Sequence, residues 1–519
     1  MIRLYPSNRR RTFQLCRKAI RPTIKETPES KNTNSGNDRL RLRHHHTIVV
    51  SACLLLSVAV GGGCGNKQTP SEPAHPRPTD AAGPGVPDPG VPGEPPANAS
   101  PSSPTQATPQ SVEPIAEPSA TDSSPPPDPA TLHNQAMLAL QAGQDDQAFQ
   151  LARQAMRLAP EDPQVVFLMA MVLGNRKRYP EAIAMLDELA TTTAEVRLPV
   201  LGQTAEWMVR FGQYSQAEKR YRRLLEQVPD AVMVHRNLSQ LMLRQGRRIE
   251  AAEHLITLCS LGDIREDELR SLLSIAHPFP GDAAEDSFDP IGMLGRARVD
   301  VSRDQWASVR SRLEASPVRS AEADALLGRA YAQLNDGEAL DAWIDRSWID
   351  RSGESVDRYP DAWLARGVWA ALHGDHAAAV GSLAECVLRD QTDHQAYALM
   401  SQSLRALGAV DEAEATSRRA ETIRKTDTIG AAMAAEETRD AAALAQLAEL
   451  LQQLRRPLEA LAWRGVQLAY AGEAGAIATA DAQRRFNEIA QQRRQSLQAD
   501  RGQASRQFVL CGVDLDALD

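Results

Sequence analysis

Small residues recur along the chain at nearly one interval among longer apolar ones. Ala148, Ala182, Ala217 and Ala251 lie 34, 35 and 34 residues apart, Ala379 and Ala413 again 34 apart, with a looser echo at Ala460. Twelve positions before the first six stand Ala136, Ala170, Ala205, Ser239, Gly367 and Ser401. Antiparallel helices approach closely only where the facing side chains are small, so these paired slots predict the crossing point of a helical hairpin. Five residues before the alanine, Gly143, Gly212, Gly246, Gly374 and Gly408 supply the positive φ that ends the first helix. Seven residues after it, Ala155, Leu189, Leu224, Leu258, Cys386 and Ala420 continue the same buried face. Pro160 and Pro229 stop two of the second helices. No stretch of the array alternates apolar and polar residues as a half-buried strand would, so the expected class is all-α. A period near 34 marks an array of hairpins, a kind of protein that binds other chains along an extended surface and seldom does chemistry.

Other residues at set places sharpen this. Trp363, Gly367, Gly374, Asp375, Ala379, Leu383 and Cys386, then Leu327-Gly328-x-x-Tyr331, and Gly212-Gln213-Tyr214 leading to Ala217, Tyr221 and Pro229, resemble the tetratricopeptide repeat (TPR) family. The resemblance implies a helical-hairpin solenoid, a right-handed superhelix, with a first array over 131–260 and a second over 291–425. A degenerate TPR-like pair at 426–470 and a helix and tail at 471–519 follow. Between the arrays, 261–290 reads as irregular: a short helix over 269–275 stopped at His277-Pro278, then a loop with Pro280, Gly281, Asp282, Glu285, Asp286 and Asp289. A weaker unit is expected around Gly295 and Ala307. A near-duplication, Trp343-Ile344-Asp345-Arg346-Ser347 then Trp348-Ile349-Asp350-Arg351-Ser352, lengthens the connection before Tyr359-Pro360, as a loop or an extended helix.

In this family, first-helix side chains face the concave groove. Carried over slot by slot, the resemblance implies groove residues His133, Met137 and Leu140; Phe167 and Met171; Glu206 and Arg210; Met233, Arg236, Gln240 and Arg244; Leu364, Val368 and Leu372; and Gln395, Gln402 and Arg405. The family's two-carboxylate clamp uses Lys and Asn where this chain has His133 and Met137, so a chaperone C-terminus is not the expected ligand.

The first 130 residues follow other rules. Residues 1–46 are a basic leader, with twelve Lys and Arg against three acids up to residue 43. An apolar core over 47–60, too short for a comfortable transmembrane helix, ends in Gly61-Gly62-Gly63-Cys64. The segment 47–64 resembles a bacterial lipoprotein signal with Cys64 as the lipid-bearing residue; Gly61 departs from its usual pattern, and an ordinary cleaved signal or an uncleaved anchor are the alternatives. From 65 to 130 the chain has no aromatic residue and 19 of its 33 prolines, so a disordered linker of polyproline II character is expected. Fully stiff, it spans up to about 200 Å at ~3.1 Å per residue.

The leader carries +9 of a total of −9, leaving −18 for residues 65–519, a poor match to a phosphate backbone, so no nucleic acid is expected. Basic clusters such as Arg220-Arg222-Arg223 fall on helices, where a solvated face accounts for them. No G-x-x-x-x-G-K-[ST], H-E-x-x-H or G-x-S-x-G occurs, and no enzyme, cofactor or metal site is expected. His373 and His376 straddle a turn, where exposed polar residues are ordinary. Cys259 and Cys386 suit small buried slots. A polar helix is expected over 481–496, and residues 507–513 read as an apolar strand. That last stretch resembles the junction where some bacterial array lipoproteins continue into an FG-GAP propeller with an ASPIC/UnbV-like end. The expectation is a scaffold at the periplasmic side of an envelope membrane, tethered by lipid or signal anchor and binding an unknown envelope protein or peptide. The alternative is a docking or regulatory part of a larger envelope enzyme or transport system.

Overall fold

The computed structural model describes residues 128–282, 288–316, 319–347, 355–435, 439–500 and 504–517. The basic leader, the 47–64 segment with Cys64, almost all of the 65–130 linker, Glu285 and Asp286, and the second duplicated copy lie outside them. The chain divides after Leu189 into two compact units, and each is described by itself.

The first unit holds α1 (Pro129–Gln141), α2 (Asp145–Leu158), α3 (Pro163–Asn175) and most of α4 (Tyr179–Thr192). Asp128 and Asp162 accept from the Thr131 and Gln164 amides, and a proline follows each directly, so two first helices begin on the same cap. Ala136 against Ala148, and Ala170 against Ala182, are fully buried where the helices cross. Leu132, Ala155 and Val165 form the core between α1, α2 and α3.

The second unit continues with α5 (Arg197–Arg210), α6 (Tyr214–Gln227), α7 (Val232–Gln245) and α8 (Arg248–Leu261). The short α9 (Glu266–Leu273) stands alone. Four hairpins follow: α10 (Gly292–Ser302) with α11 (Trp306–Glu314), α12 (Ala321–Gln333) with α13 (Gly337–Ser347), α14 (Pro360–Leu372) with α15 (His376–Arg389), and α16 (His394–Ala406) with the long α17 (Val410–Ala435). The last pair is α18 (Ala441–Gln453) and α19 (Pro457–Glu473). Its apolar face does not simply extend the row. Leu447, Leu451 and Trp463 share a core with Leu255, Leu258, Leu269, Leu272 and Phe279, so this pair packs back onto α8 and α9.

Two expectations change, and one of two alternatives is taken. The weak unit after the loop crosses at Ala297 and Val309, both fully buried, whereas Ala307 is exposed. In the duplicated stretch the first copy is helical: it ends α13, and Trp343 is wedged against Gly328 with its indole nitrogen donating to Asp324 O at 3.0 Å. Residues 507–513 are not a strand. After α20 (Thr479–Asp500), Ser505 caps a one-turn α21 (Arg506–Val509), and Val509, Leu510 and Val513 bury themselves in the core of the second array. An isolated strand would leave its amides unpaired; a capped turn satisfies them within the segment.

Candidate interaction surface

Nine hairpins among the described residues share one register. Each has two buried residues twelve apart, and five residues before the second a turn residue at positive φ: 143, 177, 212, 246, 304, 335, 374, 408 and 455. Glycine fills five of these turns; Lys177, Asp304, Asn335 and Arg455 fill the rest at φ between 53° and 62°. In one hairpin the crossing is bonded directly, Ser401 Oγ donating to Ala413 O at 2.8 Å. The first helix of each hairpin is the one whose outer face such arrays offer to partners.

In the first unit, His133, Met137 and Phe167 are half-buried on that face, and Met171 is buried. In the second unit, Glu206 and Arg210 pair at 2.6 Å, and Gln240, Gln402 and Arg405 are exposed; Leu372 is 60% exposed and Val368 half-buried. Others among the expected groove residues are engaged by the chain itself. Leu364 is a core residue with no exposed surface. Arg236 is buried, its Nε donating to Glu268 Oε1 at 2.6 Å and a terminal nitrogen to Asp263 O at 2.7 Å. Arg244 binds Asp289 through carboxylate and carbonyl, and Gln395 accepts from Arg329 at 3.2 Å and Gln333 at 2.6 Å. His373, at the turn between α14 and α15, lies tilted against the Trp369 ring and bonds the Trp369 carbonyl at 2.9 Å.

The segment after α9 engages further residues of the second unit. Residues 274–282 form a strap that crosses the first helices of the second array. Ile275 N donates to Thr392 Oγ1 at 2.9 Å and Ala276 N to Asp390 Oδ2 at 3.1 Å. The carbonyls of Ser274 and Ile275 accept from Arg248, and that of Ala276 from Arg298 at 3.2 Å. His277 meets the edge of Trp306, its Nδ1 3.4 Å from Arg329, while the Phe279 ring lies against Gly430 and Leu273.

The hairpins' common register of buried crossings and left-handed turns decides the type of repeat. These are tetratricopeptide-type repeats. No family model and no curated relative matches the chain. Among solved structures it is similar to a TPR protein from Parabacteroides merdae, at 12% identity over 53% of this chain and 98% of that one, with a TM-score of 0.25. It is also similar to the TPR2AB domain of yeast Sti1 in a pHSP90 complex, at 13% identity over 70% and 98% of the two chains, TM-score 0.26. A third likeness is to the Cut9–Hcn1 hetero-tetramer of the APC/C, at 13% identity over 72% and 87%, TM-score 0.24. At such scores the likeness adds nothing to what the hairpins themselves show.

Beneath the strap, the TPR face is charged. Arg298 donates to Asp361 at 2.7 Å and Glu322 at 3.3 Å, and Arg329 donates to Asp361 at 3.0 Å and Asp393 at 2.7 Å, all buried. Burial works against both aspartates' charge, but Arg298 and Arg329 hold Asp361 below the usual carboxylate range, and Arg329 does the same for Asp393. Burial pushes Asp390 up to about 6, with Asp393 adding to it, and His277 down to about 3, with Arg329 adding to it. Sequence reasoning missed this cluster because its members come from five separate elements. The available signal was ionisable residues, Arg298, Arg329 and Asp361, on the faces of first helices next to small or apolar slots.

Proposed function

We propose that the protein is a non-enzymatic adaptor at the bacterial cell envelope, tethered through lipid on Cys64 or a signal anchor, with the proline-rich linker as spacer. Its TPR hairpins hold partner proteins or peptides. The observation that carries this reading is the register shared by nine hairpins, joined to first-helix side chains in 131–260 that remain partly open, notably Met137, Phe167 and Gln240. Residues 507–513, which suggested a further propeller domain, pack as a capped helical turn against the second array.

The test is photo-crosslinking from positions 137, 167 and 240 in cells, together with membrane fractionation of the parent and Cys64→Ala. Discrete crosslinked partners and release of the variant from membranes are expected. A variant as firmly membrane-bound as the parent refutes the lipid tether, and absence of any crosslinked partner refutes the adaptor.

A further inference from the structure

The strap occupies the face that the second array would present to a partner, and the way it is held says what else could sit there. Five of its main-chain groups, the amides of Ile275 and Ala276 and the carbonyls of Ser274, Ile275 and Ala276, are bound by side chains of the array. Such contacts recognise the course of a non-helical main chain and are indifferent to the side chains it bears. Pro278 and Pro280 keep the segment out of the helix on either side of Phe279, and Pro280 opens a turn in which Asp282 N donates to Phe279 O at 3.0 Å. The ring seats at Gly430, where a Cβ would come within 2.7 Å of it, so the seat exists because that residue has no side chain.

The floor matters as much. Arg248, Arg298 and Arg329 face Glu322, Asp361, Asp390 and Asp393 beneath the strap, which brings His277 over them and Asp282 to Arg270. A segment that served only as core would be stabler over apolar residues, because burying ion pairs costs about as much as their attraction returns. A charged floor has a different property: it is stable when covered by matching dipoles and equally at ease in water. The apolar anchoring of the strap is confined chiefly to Phe279 and the flank of Ile275.

We propose that residues 274–281 are an exchangeable internal ligand. The site they fill is a binding site for a non-helical segment of a partner protein carrying a proline-flanked aromatic residue. The existence of a partner rests on the adaptor reading; the chemistry of the site does not. In its resting form the second array is closed by its own strap, and a partner segment gains entry by replacing the same main-chain bonds and the same ring.

The experiment uses the full chain and a fluorescent peptide of residues 272–282. Binding is measured by anisotropy to the parent and to Phe279→Ala, in which the internal ring no longer competes. The variant should bind the peptide at least about tenfold more tightly than the parent, because the competent fraction rises. The same peptide carrying Ala276→Pro, which lacks the amide that Asp390 accepts, should lose binding. A folded variant that binds no better than the parent overturns the proposal. If the variant does not fold, amide exchange on the parent decides: Ile275 and Ala276 should exchange at least about tenfold faster than Leu383 and Val387, through an opening smaller than global unfolding. Exchange of all four together overturns it. A concentration-dependent dimer of the parent that the peptide dissolves would assign the site to a second copy, and would overturn the partner segment. None of these outcomes depends on crosslinks at positions 137, 167 or 240, so the two proposals fail separately.

Discussion

Replacing Glu322 by glutamine probes the electrostatics of the buried cluster. One nitrogen of Arg298 serves two carboxylates, Asp361 at 2.7 Å and Glu322 at 3.3 Å, and Glu322 Oε2 finds no hydrogen-bond partner. Burial, opposed by Arg298 and reinforced by Asp361, lifts Glu322 from 4.5 to about 7 in the folded chain. Between those values the folded protein keeps a proton that the unfolded chain has lost, so stability falls as pH rises through this window and then levels. At ~1.4 kcal/mol per unit, the fall is about 3 kcal/mol. Glutamine has the shape of the protonated acid, can keep the bond from Arg298, and never ionises. Glu322→Gln should therefore match the parent near the lower end of the window and exceed it by about 3 kcal/mol above the upper end. His277 and His254, pushed down to about 3 and about 4 chiefly by burial, act with the opposite sign. Below 6.5 the unfolded chain binds protons that they refuse when folded, so their contribution is lost as pH falls. Both histidines are common to the two proteins and cancel in the difference. Urea unfolding followed by tryptophan fluorescence, with Trp306 against His277 as local reporter, measures that difference from about pH 5 to about pH 8. A difference that stays flat, or a variant that loses ground at high pH, refutes the placement of the proton on Glu322.

Arg236→Ala should lower stability by about 3–5 kcal/mol in the same unfolding assay, because Glu268 is left buried without its partner. The double variant with Glu268→Ala should recover part of that loss, and strict additivity would show that the two do not couple. Gly328→Ala and Gly381→Ala should move in opposite directions. At Gly328 the new methyl meets the buried Trp343 ring at 2.5 Å, and overpacking of about 1–3 kcal/mol outweighs the gain in helix propensity. At Gly381, inside α15 with open space around it, the same substitution should raise stability by about 1 kcal/mol. Equal melting shifts for the two would sink the steric argument.

The hairpins were legible because their crossings demand small residues at fixed places, and a single chain shows that demand wherever alanine, glycine or serine meets it. Where a larger residue took the slot, as Val309 and Leu340 do, the period looked broken although the register was intact. The turns behaved alike: Lys177 and Arg455 carry the positive φ that elsewhere announces itself as glycine. Residues 507–513 look like a strand because Phe508-Val509-Leu510 is apolar, while Ser505, the cap that makes them a turn of helix, stands outside that run. The strap was invisible for a deeper reason. Charge on a helix is ordinarily read as solvent-facing, and nothing local distinguishes Asp361, which ends fully buried, from the exposed Asp375 fourteen residues later.

The return of α18 and α19 onto α8 and α9 bears on how the protein is made. Arg456 bonds the Leu272 carbonyl across 184 residues, and Tyr470 bonds Glu266 across 204. On a ribosome adding about 5–20 residues per second, the partner of α9 arrives roughly ten to forty seconds after α9 itself. For that interval Leu269, Leu272 and Leu273 have no finished core to enter, although every hairpin upstream is already complete. A nascent chain arrested before α18 and α19 leaves that apolar face only partly covered, by α8 and α17. Biogenesis of this array is therefore vulnerable at one late joint, where a holding chaperone would have its work.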